Sequence, residues 1–183
     1  IVSKDAVKNQ AKETSVKKVE DEKRISFAIL GDWGFNGAYK QKEVAKVMGE
    51  FGKFDFIISV GDNFQVNGVR GINDPLWISN FESIYTHPNL LCDWYPVLGN
   101  HDYKGNIKAE IEYSNVSRRW NMPALYYSIT KKINDSCSVD FFFIDTPPFQ
   151  SKYYKSGEHN VLGQDTAAQM RWIDSSLTNS KAQ

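Results

Sequence analysis

Three short stretches hold the residues best suited to chemistry: GDWG at 31–34, GDNF at 61–64 and GNHD at 99–102. Each follows an apolar run (ISFAIL, FDFIISV and WYPVL) and sets a polar residue directly after a glycine. Asp32, Asp62 and Asn100 offer hard oxygen donors, and His101 offers a group that exchanges protons near neutral pH. Carboxylate and amide oxygens suit hard cations, and one carboxylate can bridge two ions about 3.5–4 Å apart, the arrangement used for displacement at phosphorus. Carboxylates gathered at one apolar edge repel each other and lose hydration unless a cation neutralises them.

The motifs can meet only if the runs before them are parallel strands whose carboxyl ends share an edge, where ligands bind in α/β proteins. The segments between fit crossover helices. Residues 38–51 carry Val44, Val47, Met48 and Phe51 at helical spacing, and DPLWISNFESIYT (74–86) starts with Asp74 as a cap and Pro75 in the first turn. The order β-α-β-α-β predicts right-handed crossovers in a parallel sheet. A helix over 104–120 follows. Then ALYYSITKK (124–132) and VDFFFID (139–145), joined by a short polar link, read as antiparallel strands of a second sheet. Residues 146–164 form a long loop that could cover the strand-end edge. Thr166 and Gln169 fit a capping box opening a helix over 165–180, with Met170, Ile173 and Leu177 on one face to bury. Residues 1–24 read as a charged, solvated arm, leaving 25–183 as one domain.

Composition limits the partners. The 183 residues carry 22 Lys plus Arg and 22 Asp plus Glu, so no overall field draws in nucleic acid or an anionic membrane, and neither is expected as a partner. Cys92 and Cys137 form no CxxC pair and could be two thiols or one disulfide. Asn115-Val-Ser and Asn134-Asp-Ser fit the N-glycosylation pattern. His87, before a proline, reads as structural or exposed, and His159 as a solvated loop histidine.

In order and spacing the three motifs resemble the first three of the calcineurin-like metallophosphoesterases, closest to the tartrate-resistant, purple acid phosphatase branch. VNGV after GDNF, SRRWNMPALYY, FFFIDT and QMRWIDSSL agree with it. The resemblance implies two stacked β-sheets flanked by helices, a four-layer αββα fold of which this chain would cover the first half to two-thirds. It implies hydrolysis of a phosphate monoester at a pair of metal ions, Fe with Fe, Zn or Mn. Metal-bound hydroxide would attack phosphorus while His101 assists the leaving group. A phosphodiesterase of the same fold, or a non-catalytic relative with a decayed site, are the alternatives. By position Asp32 resembles the ligand of the first metal, Asp62 the bridge and Asn100 the ligand of the second. Asp102 could orient the His101 ring. The branch also implies a secreted or periplasmic location and a lid over the site within 146–164.

Two departures stand out. Gln65 occupies the place of the tyrosine whose phenolate binds iron(III) in the purple enzymes, and a neutral amide there favours a divalent or mixed, colourless site. The remaining family ligands are histidines of two later Gly-His motifs that do not occur in these residues. They are expected beyond Gln183, in which case 1–183 alone binds metal weakly.

Overall fold

The computed structural model describes residues 24–182; the arm expected over 1–24 lies outside them except for Arg24. Strands β1 (Phe27–Leu30), β2 (Phe56–Ser59) and β3 (Asp93–Pro96) form a parallel sheet in that order. The second sheet pairs β4 (Tyr127–Lys132) with β5 (Ser138–Phe143) in antiparallel register, Tyr127 opposite Phe143 and Lys132 opposite Ser138. Both sheets are as the sequence predicts.

Strand alternation assigns the two faces of the parallel sheet. Phe27, Phe56 and Tyr95 face the hairpin: Phe141 meets Phe27 and Phe56 edge-on, and Phe143 lies against Tyr95 and stacks on Tyr127. Trp94 points the other way, into a fully buried cluster with Phe81, Tyr85 and Trp120, which Trp33, Phe64 and Trp77 extend. The core thus lies on both faces of β2, whose four residues are all buried.

Helix α1 (Gln41–Phe51) turns most of its apolar stripe outward, against expectation: Val44, Val47 and Phe51 are exposed, Met48 is half-buried against the core, and Gln41, Ala45 and Gly49 are buried. Close approach decides this. A Cβ on Gly49 would lie 2.4 Å from Cγ of His87, so the small-residue face docks where the larger side chains cannot. Gln41 is satisfied in that position, accepting from the Gly37 amide and donating to the Asn80 carbonyl. His87 is structural, its Nδ1 accepting from the Asn89 amide. β1 is likewise an edge strand with Ile29 exposed, not a strand covered on both faces.

The segment 74–86 forms a π-helical turn, Trp77–Glu82, entered through Asp74, whose carboxylate accepts from the Leu76 and Arg70 amides. The expected helix over 104–120 is broken. A 3-10 turn (Asp102–Lys104) is followed by α2 (Ile107–Glu112) and a second 3-10 turn (Tyr113–Asn115), because Asn106 donates its amide to Val69 rather than to a preceding turn. The long loop folds into a 3-10 turn (Pro147–Phe149) and the short α3 (Ser151–Ser156). It is pinned by fully buried Val161 and by the Asn160 amide on the Tyr103 carbonyl.

In α4 (Thr166–Asn179) the cap is Asp165, accepting from the Ala168 amide, and not Thr166. Gln169 is buried and bonds Asp145 through both backbone groups, at 2.9 and 3.1 Å, while Met170 and Leu177 are exposed. Cys92 is a half-buried free thiol, so the disulfide alternative is not realised. Among the described residues no helix is long and apolar enough to cross a membrane.

Candidate metal centre

Three loops at the carboxyl ends of β1, β2 and β3 form the site. Glycine and aspartate together make the turns: Asp32 and Asp62 both take left-handed backbone, φ 55° and 50°, a conformation aspartate tolerates better than most residues. The loops lock onto each other before any ligand is involved. A Cβ on Gly99 would fall 2.1 Å from Asp62 Oδ1, and one on Gly34 would fall 2.0 Å from the Asn63 carbonyl oxygen. These glycines let one motif lie on the next.

Asp32, Asp62 and Asn100 line a single cleft of about 480 Å³, walled on the far side by Thr146, Pro147, Gln150, Lys152 and Tyr153. Burial first, and the neighbouring Asp62 carboxylate second, push the Asp32 carboxyl above the usual range. That is a pair of acids short of positive charge. Gln65 supplies part of the compensation, its Nε2 lying 3.2 Å from Asp62 and 3.5 Å from Asp32. The donor set, two carboxylates and an amide in one open cleft, fits the oxygen side of a hard-cation site. It completes no coordination shell: among the described residues no group of three or more His, Cys, Asp or Glu is placed to hold a metal ion.

His101 joins this cluster through backbone and ring. Its amide donates to Asp62 Oδ1 at 2.9 Å, and its Nε2 stands 3.9 Å from Asp62 Oδ2. Nδ1 lies 2.6 Å from the Val66 carbonyl, which can only accept, so Nδ1 carries a proton and Nε2 is the nitrogen open to proton exchange.

Asp102 does not orient that ring. It is fully buried and accepts from the backbone amides of Gly99 (2.8 Å), Phe64 (3.1 Å) and Asn63 (3.2 Å), fastening the second motif loop to the third. Its side chain follows the turn inward, so the Val66 carbonyl takes the role expected of it. Asn63 stands at the hub of this network. Its amide donates to Glu110 and to the Val97 carbonyl, and its oxygen accepts from Ser59, which accepts in turn from the Trp33 indole. Burial pushes Asp102 above the carboxylate range, and burial with the Asp102 charge pushes Glu110 well above it.

Sequence reasoning missed Asn63 and Glu110. Asn63 lies in plain view inside GDNF, next to Asp62. Glu110 sits in a stretch, IKAEIE, that gives no sign of turning a glutamate inward. His159 is half-buried rather than solvated, its ring tilted at 46° against Tyr153 and its Nδ1 2.7 Å from Ser156 Oγ, and it is not among the cleft residues.

A family model described as calcineurin-like phosphoesterase matches residues 25–171. The chain belongs to the calcineurin-like phosphoesterase family. Within it, the chain is 44% identical over 140 residues to purple acid phosphatase 7 of Arabidopsis thaliana, a match covering 75% of the chain and 42% of that protein. To tartrate-resistant acid phosphatase type 5 of Homo sapiens it is 39% identical over 133 residues, 67% of the chain and 41% of the human protein. Among solved structures it resembles GAP50, the anchor in the inner membrane complex of Plasmodium, with a TM-score of 0.70 and 29% identity over 84% of this chain and 50% of that one. The chain therefore spans less than half the length of the two acid phosphatases.

Proposed function

We propose that the protein is a metal-dependent phosphomonoesterase whose Asp32, Asp62 and Asn100 hold the oxygen-rich half of a two-metal centre. The convergence of these three donors in one cleft carries the reading, and the acid phosphatase relatives support it. Asp62 neighbours both Asp32 and His101 and suits the bridging role, with Asp32 and Asn100 on one ion each. Bound there, a pair of divalent or mixed ions (Fe with Fe, Zn or Mn) would polarise a phosphate oxygen and acidify a water. His101, fixed through Val66, presents Nε2 for protonating the leaving oxygen. Lys152 sets a cation on the opposite wall, where a phosphate ester would extend. Gln65 lacks the anionic oxygen that favours iron(III), so the loaded protein should be colourless. The branch's secreted location belongs to the same reading.

The test compares residues 1–183 with a polypeptide extended past Gln183 to the relatives' length. The extended chain should take up two metals and hydrolyse p-nitrophenyl phosphate in preference to bis(p-nitrophenyl) phosphate, and 1–183 should do both poorly. Asp62→Ala should remove metal and activity together; two metals retained after that change would end the bridging assignment.

A second reading, a non-catalytic member of the family, is favoured by the Gln65 amide on both carboxylates and by the likeness to a protein described as an anchor. An extended chain that takes up no metal and hydrolyses neither ester would establish it.

A further inference from the structure

Of the two Asn-x-Ser triplets, the fold presents one and engages the other. Asn134, Asp135 and Ser136 are all exposed at the tip of the β4–β5 hairpin, outside the lining of the cleft. The turn also gives the triplet a definite local shape. Asn134 Oδ1 accepts from the Ser136 amide at 2.9 Å and from the Ser136 hydroxyl at 3.0 Å. Both bonds fall on the carbonyl oxygen and neither uses Nδ2. A hydroxyl donating to that oxygen draws electron density from the amide and makes its N–H easier to deprotonate.

The triplet at 115 is committed elsewhere. Asn115 closes a 3-10 turn, with Nδ2 donating to the Glu112 carbonyl at 3.3 Å. Ser117 is buried, and its hydroxyl donates to Glu82 at 2.6 Å. Glu82 also holds Arg119 at 2.7 Å, and the Arg119 guanidinium caps the Tyr85 carbonyl. Freeing the Ser117 hydroxyl for a transferase would disturb this partly buried ion pair.

We infer that Asn134 is an N-glycosylation site and that Asn115 is not. The donor is an oligosaccharide on a polyprenyl diphosphate. Asn134 Nδ2 bonds to the anomeric carbon, the bond from that carbon to the diphosphate oxygen breaks, the lipid diphosphate leaves with the electron pair, and Nδ2 gives up one proton. A glycan at the hairpin tip would shield an exposed turn without entering the cleft. The inference needs passage through a glycosylating compartment, which rests on the secreted location proposed above, but it does not depend on the metal site.

The experiment expresses the chain in a eukaryotic host behind a cleavable secretion leader and reads total cell protein and medium by gel mobility with and without peptide N-glycosidase. Mass spectrometry after deglycosylation locates the Asn-to-Asp conversion. One enzyme-sensitive shift is expected, mapped to Asn134, lost in Asn134→Gln and Ser136→Ala, and kept in Ser136→Thr and Asn115→Gln. No shift, or a shift that survives Asn134→Gln and disappears in Asn115→Gln, would overturn it. Neither outcome bears on whether the protein hydrolyses phosphoesters.

Discussion

All four residues of β2 are buried, whereas along β4 buried or half-buried residues alternate with exposed ones. Strand β2, at the centre of the parallel sheet, is covered by aromatic side chains on both faces, and the three loops leaving that sheet interlock through glycines and a buried polar network. The hairpin sheet packs one face on the parallel sheet and lies with the other under α4, where Trp172 meets Phe142 and Ser180 bonds Asp140, and its tip is an exposed turn. The candidate ligands lie where the backbone is most constrained. Aspartates held at positive φ and glycines with no room for a Cβ persist only where the surrounding packing over-determines them. The segment that follows the antiparallel strands supplies a wall of the cleft, which is a less demanding job.

If that contrast is right, the largest loss should follow removal of Asp102, because Ala there strands the Gly99, Asn63 and Phe64 amides at once. Urea denaturation should register about 3–5 kcal/mol for Asp102→Ala and less for Asp102→Asn, which keeps an acceptor. A loss under about 1 kcal/mol would show that the network does not hold the motif loops. Next, Phe64→Ala, at a fully buried ring among Trp33, Trp77 and Trp120, should cost about 3–5 kcal/mol, while Ile129→Ala on the half-buried face of β4 should cost about 1–2 kcal/mol. Equal losses would erase the distinction between the sheets.

The two regions meet at Asp145, which follows β5, is almost fully buried and accepts from the Tyr103 hydroxyl beyond the third motif. Burial lifts its carboxyl from the ordinary 3.8 to about 6. The folded state therefore keeps a proton that the unfolded chain releases, so this group's contribution is fullest at acid pH and declines as pH rises from about 4 to about 6. The decline is on the order of 2–3 kcal/mol. Asp145→Asn should flatten stability across that window relative to wild type. An unchanged slope would place the carboxylate in a more polar setting than the fold gives it. The smallest effect is expected outside both regions: Val47→Lys on the solvent face of α1 should shift stability by less than about 0.5 kcal/mol. A larger loss would mean that the stripe is covered after all.

Much of this was legible in the sequence because it depends on local chemistry. Strand runs ending in Gly-Asp, Gly-Asp-Asn and Gly-Asn-His-Asp specify a parallel sheet with polar strand ends, and two aromatic runs across a short polar link specify a hairpin. What misled was periodicity on α1 and α4. Both carry apolar stripes, yet only Met48 of one and Ile173 of the other turn inward, and docking runs mainly through Gly49 and Ala45 in the first and Gln169 and Trp172 in the second, since spacing records where apolar residues are and not which face fits the neighbour.

The amino-acid sequence alone determined the parallel sheet and which oxygen-bearing side chains stand at its strand ends, because both follow from residue type at a fixed spacing; the resemblance to the purple enzymes is what marks Gln65 as standing where they carry a tyrosine. Tertiary structure decided what those residues touch. It turned Asp102 away from the His101 ring and into the core, gave that ring the Val66 carbonyl instead, and brought Glu110 inward to Asn63 across 47 positions of sequence. Such pairings are set by the packing of distant segments, and no local pattern encodes them.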